Sequence, residues 1–130
     1  MAENTPTKEP HIKVTDLTVA YGDNVVQQNI NFEVPHGDIF IIMGDSGGGK
    51  STLMRVMTGL KEPSKGTVLI NGVNFWQADL DTRAQMMRQN GILYQSGALW
   101  SSMTLLENVL LPLQHFRKHL SAAHMQEIAR

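Results

Sequence analysis

The run Gly44-Asp45-Ser46-Gly47-Gly48-Gly49-Lys50-Ser51 constrains this chain more than any other stretch. It matches G-x-x-x-x-G-K-[ST] without departure and stands between two different periodicities. Ahead of it, Ile39–Met43 is continuously apolar, as expected of a strand buried on both faces in a parallel sheet. Behind it, Leu53, Val56, Met57 and Leu60 recur at spacings of three and four, the apolar stripe of a helix. A chain that passes from buried strand through a glycine turn into a helix brings consecutive backbone N–H groups into one concavity, an anion nest. The helix beginning near Gly49 aims its positive end at the same place. Lys50 adds a full charge able to reach the β- and γ-phosphates of a nucleotide, and Ser51 offers a hydroxyl to Mg²⁺. The competing reading is a glycine-rich turn with no ligand, and the strand–turn–helix context argues against it. Asp45 is the unfavourable member near phosphate. Its side chain is expected to face outward, because the nest is made of backbone.

The rest of the chain reads in order. Residues Met1–Pro10 show no apolar periodicity and read as a disordered lead-in, with the ordered domain running over residues 11–130. Ile12–Ala20 predicts a strand with one irregularity, closed by Tyr21-Gly22-Asp23-Asn24. Val25–Val34 predicts a second strand, and Pro35-His36-Gly37-Asp38 a turn. Gly59 and Pro63 end the helix that follows the glycine loop. Thr67–Ile70 is a short strand ending in the hairpin signal Asn71-Gly72. Asp81–Gln89 predicts a helix, Gly91–Gln95 a strand, and Leu105–Leu113 a helix disturbed by Pro112. Ser121 is placed to cap a last helix.

Composition narrows the class. The 130 residues are 42% hydrophobic and 18% charged, and they carry a net charge of −1, so nothing in the balance points to a nucleic-acid partner. With no cysteine, disulfide scaffolds, thiolate metal sites and cysteine nucleophiles are excluded. No apolar run approaches the roughly 20 residues that span a bilayer, and the polar N-terminus is no secretory signal. The expectation is a cytoplasmic protein that reaches a membrane only through a partner.

The residues around the loop carry a resemblance. GDSGGGKSTLMRVMTGL, Gly44 to Leu60, resembles the Walker A segment of ABC transporter ATPases, with Gly48 in place of the commoner Ser or Cys. Tyr21 falls where that family has an aromatic that stacks on adenine, and Gln95 matches its Q-loop glutamine, which contacts Mg²⁺ and the attacking water. The resemblance implies an α/β P-loop NTPase with a parallel core strand and an antiparallel β subdomain. It implies MgATP bound by Tyr21, Gly44, Ser46, Gly47, Gly48, Gly49, Lys50, Ser51, Thr52 and Gln95, with Ser51 and Gln95 at Mg²⁺. It also implies two copies of the ATPase sandwiching two ATP molecules beneath a transmembrane permease. A finer likeness lies at Gln95-Ser96-Gly97-Ala98-Leu99-Trp100 and Asn108-Val109-Leu110-Leu111-Pro112-Leu113. These segments are similar to the lipid-transport branch, the Mla-type or toluene-tolerance ATPases, and imply phospholipid movement across a Gram-negative envelope from the inner membrane.

The sequence departs from the family in what it lacks. There is no LSGGQ-type signature, no apolar strand ending in Asp-Glu and no switch histidine, all of which lie after the Q-loop in the family. The expectation is a shortened chain with no catalytic glutamate and no turnover of its own. The alternatives are a nucleotide-binding fragment or the ATPase of another ABC importer or exporter branch. Cut at Arg130, the strand Ile39–Met43 would lose a neighbour, so the isolated chain is expected to aggregate or fold only in part.

Other residues have plainer readings. Trp100 and Met103 are read either as core or as an apolar patch for a partner helix. His115 and His119 share a helix face but have no third ligand, so they are read as solvated. Asp79 and Asp81 start a helix rather than form a carboxylate pair. Arg117-Lys118 is too short for a nucleic-acid patch.

Overall fold

The structure, a computed structural model, describes residues 9–116 and 121–128. It divides into two compact units between Asn90 and Gly91. In the first unit the strands are β1 (Ile12–Tyr21), β2 (Asn24–Val34), β3 (Lys65–Ile70) and β4 (Val73–Asn74), and the helices are α1 (Lys50–Met57) and α2 (Leu80–Arg88). The strands form one antiparallel sheet in the order β2-β1-β3-β4. The second unit holds α3 (Leu105–Phe116) and α4 (Ala122–Ile128).

The irregularity expected in the first strand is a β-bulge at Asp16. Val14 faces the core, and so do Leu17 and Val19, which strict alternation would send to the opposite face. One extra residue restores the phase. Asp16 takes φ 47, and its N–H donates to Oδ1 of Asn31 at 2.9 Å. Gly66, at φ +89, lies against the bulge. A Cβ there would stand 2.5 Å from the Asp16 carbonyl oxygen.

The core of this unit packs the inner face of the sheet (Val14, Leu17, Val19, Val68, Ile70) against Leu53, Val56 and Met57 of α1, with Phe75 beside them. Three of the four residues of the predicted stripe are therefore in the core; Leu60 is not, because the helix has ended before it and it is exposed. The helix ends at Thr58, and Gly59 turns the chain back at φ +80, with N–H groups of Leu60 and Lys61 donating to the Arg55 carbonyl at 2.8 and 3.1 Å. Asp79 caps α2, its carboxylate accepting from the Thr82 N–H at 2.9 Å and the Thr82 hydroxyl at 2.7 Å. The plain reading of Asp79 and Asp81 as a helix start therefore holds.

Two expected strands differ. Residues 39–43 and 91–95 have no ladder partner among the described residues. A run apolar on both faces needs a strand on each side, and neither run pairs with a strand of the one described sheet, which is antiparallel. Ile42 still packs on the core, but Ile39, Ile41 and Met43 are 87%, 71% and 86% exposed.

In the second unit, Thr104 and Glu107 form a capping box at the start of α3: Glu107 Oε2 accepts from the Thr104 N–H at 2.7 Å, and the Glu107 N–H donates to Thr104 Oγ1 at 3.2 Å. Asn108 ties down the preceding loop. Its Oδ1 accepts from the Trp100 N–H at 2.7 Å, and its Nδ2 donates to the carbonyls of Trp100, Met103 and Thr104. Trp100 and Met103 are exposed rather than core. The helix runs on through Pro112 to Phe116. Ser121 accepts from the His124 N–H at 3.3 Å at the start of α4, as its capping position predicts. No described helix is long and apolar enough to cross a membrane.

Candidate functional site

Among the described residues three helices of eight residues or more start, and their N-termini are treated differently. Asp79 caps α2, and Glu107 with Thr104 caps α3. By contrast, α1 begins at Gly49 with no side-chain cap and no acidic residue in its first turn. The first four N–H groups of any helix lack intrahelical acceptors, so the positive end of α1 is left for an anion from outside the helix.

The glycine loop is shaped to serve that end. Gly47 and Gly49 take φ +82 and +89, conformations that cost an L-residue strain. The Gly48 N–H donates to the Asp45 carbonyl at 3.1 Å, closing the turn, and a Cβ on Gly48 would sit 3.1 Å from that same oxygen. Asp45 is exposed, and its carbonyl, not its carboxylate, does the local bonding. Lys50 Nζ donates to the carbonyl oxygens of Gly44 at 2.6 Å and Asp45 at 2.5 Å. These contacts fold the ammonium back across the loop and use two of its three donors. Ser46 and Ser51 are exposed, and Thr52 is buried.

Strand β2 supports the loop from outside. Gln27 Nε2 donates to the Gly48 carbonyl at 2.5 Å, and Val26 lies directly against Gly49. Sequence reasoning missed both residues. They sit in an alternating strand pattern that says nothing of what the outward face touches.

Tyr21 ends β1 beside α1. Its phenol oxygen shares a hydrogen bond with the Thr52 hydroxyl and accepts from Arg55 Nη1 at 3.4 Å. The Thr52 hydrogen bond first, and then that of Arg55, holds the phenol below its ordinary range. Lys61 Nζ stands over the ring, 4.3 Å from its centroid. Tyr21 is thus brought to the first turn of α1, next to Thr52. Arg55 and Lys61 were not singled out from sequence. Gln95 lies in the second unit, in a bend of the irregular segment 91–104, and is exposed.

The oxygen donors predicted for a cation, the Ser51 hydroxyl and the Gln95 amide carbonyl, are of the hard type that suits Mg²⁺. Among the described residues there is no group of three His, Asp or Glu able to hold a metal by itself. His115 is exposed, and His119, Arg117 and Lys118 lie outside the described residues.

The family model described as ABC transporter matches residues 27–130. This chain belongs to the ABC transporter family. Over 103 residues it is 38% identical to the ribose import ATP-binding protein RbsA of Bacillus licheniformis, covering 78% of this chain and 20% of that protein. It is 35% identical over 103 residues to the intermembrane phospholipid transport system ATP-binding protein MlaF of Haemophilus influenzae, covering 79% of this chain and 39% of that protein. The dimeric post-hydrolysis structure of the ATP-binding cassette MJ0796, bound to ADP and Pi, matches with a TM-score of 0.81 at 31% identity, over 91% of this chain and 53% of that chain. This ABC chain therefore spans about half the length of that cassette and less than half of the two curated relatives. Its fold is that of the N-terminal portion of the ABC ATPase, an α/β P-loop NTPase. Members of this family bind ATP with Mg²⁺ and work with transmembrane permease subunits.

Proposed function

We propose that this chain is the nucleotide-binding portion of an ABC transporter ATPase, holding MgATP at the loop Gly44–Ser51. The observation that carries the reading is the uncapped start of α1, set behind a positive-φ glycine turn with Lys50 folded across it. Backbone N–H groups of Gly44, Ser46, Gly47 and Gly49 and the first turn of α1 would cradle the phosphates, while Gly48 shapes the loop by donating its N–H to the Asp45 carbonyl. Lys50 would neutralise charge on the terminal phosphate, Ser51 and Gln95 are the oxygen donors that would hold Mg²⁺, Thr52 would serve the phosphates and Tyr21 would stack on adenine. Bound Mg²⁺ would supply the remaining charge neutralisation between the phosphates.

The test is a titration of a fluorescent ATP analogue into the protein and its Lys50→Ala variant, with and without magnesium. A hydrogen bond to a charged group of this kind is worth on the order of a ten- to hundred-fold change in affinity. Equal affinity of the two proteins would remove the reading.

In the whole protein, two copies acting together beneath a permease would couple hydrolysis to transport at the cytoplasmic face of the inner membrane, with no nucleic acid involved. For the cargo we favour phospholipid. The support is the likeness of Gln95–Trp100 and Asn108–Leu113 to the Mla-type branch, together with the similarity to MlaF. The similarity to a ribose importer is of the same order, so cargo is settled by the partner. Purification of the permease that holds this subunit, followed by lipid analysis, is the measurement. A permease that retains sugar and no lipid would exclude phospholipid.

A further inference from the structure

Tyr21 is held at its oxygen and on one ring face. The oxygen is bonded by Thr52 and Arg55, and the face carries the Lys61 ammonium at 4.3 Å. The placement of Lys61 is built into the end of α1. Gly59 reverses the chain at φ +80 over Phe75, so close that a Cβ would stand 2.4 Å from Phe75 Cζ. The Arg55 carbonyl then accepts the Lys61 N–H at 3.1 Å, while the Arg55 guanidinium reaches the phenol. One residue thus anchors both the ring and the cation above it. Tyr21 nevertheless remains 47% exposed, as a ring covered on one side only would be.

We infer that Lys61 is a positioning residue for the nucleobase: it braces one face of Tyr21 so that the opposite face stands ready as a fixed stacking platform. The inference rests on the proposed role of Tyr21 at adenine. A cation is attracted to the face of an aromatic ring, and a ring already fixed loses less freedom when a base settles on it. Without Lys61 the ring must be ordered at the moment of binding, and the loss falls on the base alone.

The experiment is calorimetric titration of ATP and of inorganic triphosphate, each with magnesium, into the protein and its Lys61→Ala, Lys61→Arg and Tyr21→Ala variants, with folding checked by circular dichroism. Lys61→Ala is expected to weaken ATP by about two- to five-fold and leave triphosphate unchanged, the size of an exposed cation–ring contact. Lys61→Arg is expected to restore ATP binding. In the Tyr21→Ala background, loss of Lys61 is expected to add nothing. If Tyr21→Ala weakens ATP but Lys61→Ala leaves it unchanged, the brace is wrong. Tighter ATP in Lys61→Ala would make Lys61 a competitor for the base and equally overturn it. Equal weakening of ATP and triphosphate by Lys61→Ala would place its effect on the phosphates and also sink the inference. If Tyr21→Ala itself leaves ATP untouched, adenine stacking falls and the brace with it, while triphosphate affinity still reports the glycine loop independently.

Discussion

A Cβ on Gly49 would stand 2.6 Å from Cγ1 of Val26, inside any distance real side chains adopt. Strand β2 therefore presses on the turn that opens α1, and Gln27 Nε2 secures the next carbonyl back, that of Gly48. Gly49→Ala is expected to cost about 1–3 kcal/mol of stability, since it combines a left-handed backbone with a clash that the Val26 and Gln27 side chains must move to relieve. It should also weaken triphosphate binding, because the same movement opens the nest. Thermal melts and triphosphate titration check both. A variant as stable as the parent would show that β2 yields without cost.

The parts of this arrangement that sequence makes legible are local. The glycine loop, the α1 stripe, the Asn71-Gly72 hairpin and the bulge before Leu17 each follow from spacing within a few residues. Support from Val26 and Gln27 does not, because it depends on which outward face of a strand meets the loop after the sheet has formed. Placement of Lys61 over Tyr21 is likewise invisible until Gly59 has turned the chain over Phe75. The apolar runs at 39–43 and 91–95 are legible as strand material, but a strand exists only where a neighbour supplies its ladder.

Two glycines with left-handed backbones separate conformation from crowding. Gly22, at φ +58, would meet nothing with a Cβ, whereas Gly59, at φ +80, would drive its Cβ into Phe75, which is 1% exposed. Gly22→Ala is expected to cost about 1–2 kcal/mol, the strain of the backbone alone. Gly59→Ala is expected to cost about 1–3 kcal/mol more through overpacking of the core. Denaturant unfolding of the two variants side by side measures the difference, and equal losses would show that Phe75 repacks freely.

Acid sensitivity should trace to the helix starts. Backbone and hydroxyl hydrogen bonds from Thr82 hold the Asp79 carboxyl below its ordinary value of 3.8, and those from Thr104 hold Glu107 below 4.5. A carboxylate with a lowered folded pKa contributes stability that is fully present above the unfolded value and is lost as pH falls through the folded one. Melting temperatures of the protein and Asp79→Ala are therefore expected to differ at neutral pH and to converge well below pH 3.8. Asp79→Asn keeps a capping oxygen without a titrating group, so it should melt near the parent at pH 7 and show a shallower acid limb. A gap between parent and Asp79→Ala that persists undiminished at low pH would assign the cap to geometry rather than charge.

The exposed run at 39–43 should govern how the chain behaves in solution. Ile39, Ile41 and Met43 are exposed in a segment that pairs with no described strand, while Ile42 packs against the core. Such a segment offers both an apolar surface and unpaired backbone groups to another chain. The chain is expected to bind a hydrophobic dye and to associate as its concentration rises. Ile39→Lys combined with Ile41→Lys should lower both effects while leaving the Ile42 contact in place, because the added charges repel a second copy at the same edge. Light scattering across a concentration series measures the association. A soluble monomer with a sharp, cooperative melt and no dye binding would mean that this edge is covered in solution by a contact the structure does not contain.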